Sequence, residues 1–203
     1  MSGKTEQDRT AKKLLRKEVL RRAAAFTDEA VDTWSAGVCR RILESEAFEK
    51  ADTVLGYLSF NKEISVDGVL REALRRGKTV AVPFIVSATE FRAARLERLD
   101  NLPLDRYGIR TVPEPCTFLS PGSIDLILVP GAGFTRDGRR MGRGAGYYDR
   151  FLPQTRGLKL GITCEALLCD DIPTDPWDCR VDGVLTEENS YDQMKGENNL
   201  EME

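Results

Sequence analysis

Ile124-Asp-Leu-Ile-Leu-Val129 runs into Pro130-Gly-Ala-Gly-Phe-Thr-Arg-Asp-Gly-Arg-Arg-Met-Gly-Arg-Gly-Ala-Gly-Tyr-Tyr-Asp-Arg-Phe-Leu-Pro153, an apolar stretch that empties into a glycine- and arginine-rich loop. The apolar run has the length and composition of a buried strand. Glycines after such a strand let backbone N–H groups approach a ligand, because no Cβ stands in the way. Arginines in the same loop supply forked donors for phosphate oxygens. Tyr147-Tyr148-Asp149 then begins a helix, whose first turn favours anions. The combination describes a site for a phosphate-bearing ligand, with rings and a carboxylate beside it. A tight strand-to-helix turn with solvated arginines is the plainer alternative.

Outward from that block, strand and helix patterns alternate. Helical spacing covers Lys4–Ala25, with Ala11, Leu14, Leu15, Val19, Ala23 and Phe26 as its apolar set. Thr27 is placed to cap a second helix, whose buried stripe is Val31, Trp34, Val38 and Ile42. Ser65 is placed to cap a third, which stops at Gly77. Strands are expected at 53–59, 79–86, 124–129, 158–164 and 181–186, with an edge strand at 90–99. Residues 102–121 read as loop. This order predicts a single α/β domain with a mostly parallel central sheet flanked by helices. The domain is expected over residues 1–186, followed by an acidic, mobile tail at 187–203.

Composition narrows the chemistry. The chain has 203 residues, a formal net charge of −3 and no histidine. That excludes Ser-His-Asp and Cys-His catalysis and a histidine general base. The tail holds six acids against one lysine, so the body is near neutral and offers no broad basic face for nucleic acid. Five cysteines without a C-x-x-C pair argue for neither a disulfide framework nor a zinc ribbon. The N-terminus is too charged for a secretory signal, and no apolar run is long enough to span a bilayer. A cytoplasmic monomer without membrane or nucleic-acid partners is the expectation.

The loop is neither of the common nucleotide signatures. It lacks the G-x-x-x-x-G-K-[ST] phosphate loop, and Gly142, Gly144 and Gly146 break the dinucleotide pattern. Lys12 and Arg16 share a helix face, where a solvated surface is the ordinary explanation. Glu63 follows the first strand, near the sheet edge where α/β ligands sit, although a loop acid or helix-start charge is the favoured plain reading. Asp149 with Asp178 or Asp182 could hold magnesium, although aspartates of that region also suit turns. Cys164 and Cys169 read as packing residues.

Four elements in order resemble the 5-formyltetrahydrofolate cyclo-ligase family. They are K-x-x-x-R at Lys12 and Arg16, and Y-x-S-x-x-x-E-I from Tyr57 to Ile64. The long block P-G-x-G-F-x-x-x-G-x-R-x-G-x-G-x-G-Y-Y-D follows from Pro130 to Asp149. The last is D-x-x-x-D-x-[VL]-x-[TY]-E from Asp178 to Glu187. The resemblance implies ATP- and magnesium-dependent closure of 5-formyltetrahydrofolate to the 5,10-methenyl compound, with ADP and phosphate released through a phosphorylated formyl group. It implies that Lys12, Arg16, Arg140, Met141, Gly142, Arg143, Gly144, Ala145, Gly146, Tyr147 and Tyr148 meet ATP. Leu58, Glu63 and residues 143–147 would meet the folate. Arg143 and Tyr147 would act at the reacting groups, and Asp149 and Asp178 would hold Mg2+. Two positions depart from the pattern: Trp177 stands where many members have histidine, and Ala145 where relatives have glycine or lysine. These departures keep a binding relative without turnover, or a sibling enzyme for another formyl- or pterin-like substrate, as alternatives.

Overall fold

The computed structural model describes residues 6–192. Its helices are α1 (Glu6–Ala24), α2 (Asp28–Leu43), α3 (Glu46–Lys50), α4 (Asp67–Arg75) and α5 (Tyr147–Phe151). Its strands are β1 (Thr53–Leu55), β2 (Thr79–Ile85), β3 (Phe91–Arg95), β4 (Phe118–Leu119), β5 (Leu126–Pro130), β6 (Gly133–Phe134), β7 (Arg140–Met141), β8 (Leu158–Ile162), β9 (Gly183–Leu185) and β10 (Ser190–Asp192).

Eight strands form one sheet in the order β10-β9-β8-β5-β1-β2-β3-β4. The five central strands are parallel, and β10, β3 and β4 pair antiparallel at the flanks. This is the expected α/β architecture. Leu126, Ile127, Leu128 and Val129 are all fully buried, as a strand covered on both faces requires. Alternation along the strands feeds two cores. Val54, Val80, Leu126 and Leu128 pack with residues of α1, α2 and α4 on one face. Leu55, Ala81, Ile127 and Val129 pack with Phe134 and with Phe151 of α5 on the other.

Local signals account for the starts of α2 and α3. Thr27 Oγ1 accepts a hydrogen bond from Ala30 N at 3.2 Å, and Asp28 and Glu29 occupy the first turn of α2. Ser45 does the same for α3 through Phe48 N at 3.2 Å. The expected Ser65 cap of the third helix is not formed: the N-cap residue of α4 is Val66, without a side-chain cap bond, and Ser65 Oγ only accepts from Asp67 N at 3.3 Å.

Several expectations shift. Leu14 of α1 is exposed, and so is Ala11, whereas Lys12 is buried and Arg16 half-buried. The inward face of α1 is therefore Lys12, Leu15, Arg16, Val19 and Leu20, turned by about one residue from the apolar reading. The strand expected at 90–99 is not an edge, because β4 pairs outside it. The arginine-rich block contains a small β6–β7 hairpin that two-residue strands cannot signal by periodicity. The stretch read as a tail from residue 187 begins inside the sheet: β10 pairs with β9, and Glu165 N donates to the Glu187 carboxylate at 3.1 Å. Residues 193–203 lie outside the described residues. No described helix is long and apolar enough to cross a membrane.

Order reverses between β1 and β5: from β1 the chain moves to β2 on one side and returns to β5 on the other. Ligands of open α/β sheets sit beyond the carboxyl ends of strands at such a switch point. The Tyr57–Glu63 segment leaves β1 there, and the glycine-rich block leaves β5 there.

Candidate active site

A cleft of about 640 Å³ opens at this switch point. Its apolar lining residues include Leu58, Phe60, Pro83, Ile85 and Ile109. Its charged ones are Lys12, Arg16, Arg110, Arg140, Arg143 and Arg150 with Glu63 and four aspartates, Asp105, Asp149, Asp175 and Asp178. Such a mixed lining suits a ligand, or pair of ligands, with an aromatic part and a polyanionic part.

The glycine-rich loop owes its shape to two left-handed glycines and to arginines that grip its carbonyls. Gly144 has φ +117° and Gly146 φ +68°, values that side chains with a Cβ rarely adopt. Arg16 Nε donates to Gly142 O at 2.8 Å, and the Arg150 guanidinium donates to Ala145 O. The amides are left over. Among the described residues, no protein acceptor takes a hydrogen bond from the backbone N–H of Arg143, Gly144, Ala145 or Gly146. Consecutive unpaired amides in such a turn form a concavity for an anion. The anion-attracting helix end expected after it contributes little, because α5 is only five residues long. The loop amides and guanidinium groups carry that role instead.

Charge pairs hold the rest in place. Lys12, only 9% exposed, reaches Asp175 at 3.3 Å and also pairs with Asp178. These partners are more than 160 residues away in sequence. Arg140 is almost fully buried, pairs with Asp149 Oδ1, and lies 5.8 Å from the Tyr148 ring centre. Cys179 N donates to the same Asp149 oxygen at 3.3 Å. Arg143 Nε donates to Glu63 Oε1 at 2.8 Å, while Glu63 Oε2 accepts from Phe60 N at 3.0 Å. Two buried donors of the cleft, Arg140 Nε and Tyr148 Oη, have no hydrogen-bond partner among the described residues.

The aromatic residues are less free than the sequence suggests. Tyr147 donates from its hydroxyl to Ser87 O at 3.2 Å, and Phe91 stacks on Phe151 with centres 4.4 Å apart. Burial, reinforced by the nearby Glu63 charge, raises the Tyr148 phenol above its ordinary value, so it stays protonated near neutrality and is a donor rather than a base. Burial also pushes the Cys164 thiol up to about 12, which removes it as a nucleophile and fits its reading as a packing residue.

Every residue singled out for ligand contact lines this one cleft except Met141. Met141 is fully buried in the core. Its carbonyl accepts from Ala132 N at 2.7 Å. Asp178 faces the cleft, whereas Asp182 accepts from Lys159 N at 2.8 Å as part of the sheet. The sequence reading did not single out Arg150, Asp175, Tyr57 or the segment Ile109-Arg110-Thr111 as cleft residues. Arg150 could have been found, since it lies one turn beyond Gly146. The 109–111 wall has no local signal, because it is brought in by the pairing of Arg110 with Asp67 at 2.6 Å.

For a divalent cation, the fit is to a sparse site. No group of three or more His, Cys, Asp or Glu side chains is placed to hold a metal among the described residues. Asp149 and Asp178 each commit one oxygen to a cation of the protein; Asp149 Oδ2 and Asp178 Oδ1 take no hydrogen bond among the described residues. Two such oxygens suit Mg2+, which takes few protein ligands and completes its shell with water and substrate phosphate.

Residues 8–187 match the profile of the 5-formyltetrahydrofolate cyclo-ligase family. A Caenorhabditis elegans protein named "Probable 5-formyltetrahydrofolate cyclo-ligase" is 32% identical over 177 residues, covering 80% of this chain and 85% of the relative. The Mus musculus 5-formyltetrahydrofolate cyclo-ligase is 28% identical, covering 89% and 95%. The NMR structure of Aquifex aeolicus 5,10-methenyltetrahydrofolate synthetase superposes with a TM-score of 0.82 at 30% identity, over 94% of this chain and 96% of that one.

Proposed function

The chain belongs to the 5-formyltetrahydrofolate cyclo-ligase family, a family of ligases, and from that premise we propose that its cleft closes 5-formyltetrahydrofolate to 5,10-methenyltetrahydrofolate at the expense of ATP. The observation that carries this reading is the row of four unpaired amides in residues 143–146, in a cleft that Arg16, Arg140 and Arg143 line together with apolar side chains.

A formamide carbonyl is a weak electrophile, and its oxygen a poor leaving group. Transfer of the γ-phosphoryl group to that oxygen, with ADP leaving, gives an iminium phosphate. The second nitrogen of the same folate then attacks the formyl carbon, the C–O bond breaks, phosphate departs, and the nitrogen's proton goes to water. The attack is intramolecular, so holding the substrate in the right shape supplies much of the acceleration. Phosphoryl transfer is chiefly positioning and charge stabilisation, which explains how a chain without histidine can perform it.

Lys12 and Arg16 steer the outer phosphates. The loop amides and Arg143 meet the transferring group, where charge builds up as it moves. Leu58 packs on the folate ring, and Glu63 accepts from its donor-rich edge. Tyr147 stands at the junction of both ligands. Asp149 and Asp178 would hold Mg2+, which when bound neutralises phosphate charge.

Incubating the purified protein with 5-formyltetrahydrofolate, ATP and magnesium is expected to produce the methenyl absorbance, with ADP and phosphate in equal amounts. Folded protein that binds both compounds without forming the chromophore would instead mark a binding relative and overturn the proposed activity.

A further inference from the structure

Trp177 stands at the lip of the cleft with 62% of its surface exposed. The turn beneath it is tied down. Asp178 N donates to Asp175 O at 3.0 Å, Asp175 N donates to Asp178 Oδ2 at 2.6 Å, and both carboxylates hold Lys12. A large ring is thus presented to water from a fixed backbone. Among the described residues, no other ring and no cation stacks on it. The loss of contact that exposure costs such a ring is recovered when a flat partner covers it.

We propose that Trp177 is the platform for the nucleobase of the nucleoside triphosphate, and that it sets a preference for purines over pyrimidines. This rests on the reading of Lys12, Arg16 and the 143–146 loop as the polyphosphate site. Lys12 pairs with Asp178, and Trp177 is covalently next to Asp178. A base attached to phosphates held there extends toward the lip. Stacking is available to every base, and grows with the area of the ring, so purines gain most. The discrimination comes from ring area rather than from hydrogen bonds to the base edge.

Fluorescence isolates this residue. The chain has two tryptophans. The other, Trp34, packs edge-on against Phe26 with centres 4.8 Å apart, and is not a cleft residue. ATP is expected to quench the emission of the wild-type protein, inorganic tripolyphosphate to quench it little, and Trp177→Ala to abolish the ATP response. In the cyclisation assay, Trp177→Ala is expected to raise KM for ATP on the order of 5- to 100-fold, with a far smaller change in kcat or in KM for the folate. Its ATP-over-UTP preference should shrink, and Trp177→Phe should recover part of both.

An ATP response that survives in Trp177→Ala, or a wild type that cyclises with ATP but whose Trp177→Ala variant keeps the same KM and base preference, overturns the platform and leaves the activity standing. A wild type quenched by ATP through Trp177 but unable to cyclise the folate keeps the platform and overturns the activity.

Discussion

Arg140→Ala is expected to lower folding stability by about 3–5 kcal/mol, because it strips the partner from a nearly buried carboxylate and leaves a hole where a guanidinium was. The side chains of Arg140 and Asp149 are 3% and 18% exposed, so little water is at hand to replace the lost pair. For a chain of this size the melting temperature should fall by on the order of 10 °C. The second change, Asp149→Asn in the Arg140→Ala background, should restore part of the loss, since the amide no longer carries an uncompensated charge. A drop of only a degree or two for Arg140→Ala, measured by thermal unfolding, would mean that the pair is solvated. Stability is the readout here because both residues also belong to the proposed site.

Arg143 offers the opposite case, large in function and small in folding. Its side chain is 41% exposed, so its pairing with Glu63 contributes at most about 1 kcal/mol to stability. Removing a charge-assisted contact to the transferring phosphate should cost about 1.5–3 kcal/mol. Arg143→Ala is therefore expected to lower kcat/KM for ATP roughly 10- to 150-fold with little change in melting temperature. The same ion pair joins the two proposed ligand sites. While Arg143 holds Glu63, neither is fully available to its own ligand; a polyphosphate that draws Arg143 away releases Glu63 for the folate, and the reverse holds by linkage. The wild type should therefore bind folate more tightly when nucleotide is present. Arg143→Ala should bind folate alone at least as well as the wild type and show no such enhancement. Glu63→Gln should raise KM for folate more than KM for ATP. Equal loss of both in Glu63→Gln, or unchanged ATP dependence in Arg143→Ala, would contradict this division of roles. Calorimetric titration of each ligand with and without the other provides the measurement.

The parallel core was legible in the sequence because its physics is local and strong. The run Leu126–Val129 is apolar at every position, as burial on both faces demands, and Thr27 announces a helix by its side chain alone. The glycines were legible for a similar reason, since Gly144 and Gly146 occupy backbone conformations that few other residues tolerate. What stayed hidden was long-range or contrary to pattern. Counting apolar residues placed Leu15, Val19 and Ala23 correctly but turned the start of α1 by about one residue, because its inner face there serves a charged cleft and buries Lys12 while leaving Leu14 in water. The sites of Lys12 on Asp175 and Asp178, and of Arg143 on Glu63, join residues 80 or more apart, and no local periodicity encodes them. Strand β4 is two residues long, too short to leave a signal, yet it moves the sheet edge beyond β3. The acidic character of the last residues masked Ser190–Asp192 as a strand, because edge strands tolerate charge.

The most direct test of the central claim is a backbone amide NMR titration with a non-hydrolysable ATP analogue and magnesium, following Arg143, Gly144, Ala145 and Gly146. The expected result is large, saturable shifts at these four amides, matched at equal concentration by slowed exchange of their protons with water. Saturable binding that moves amides elsewhere and leaves these four unchanged would contradict the assignment of the loop as the phosphate cradle, and with it the route proposed for the reaction.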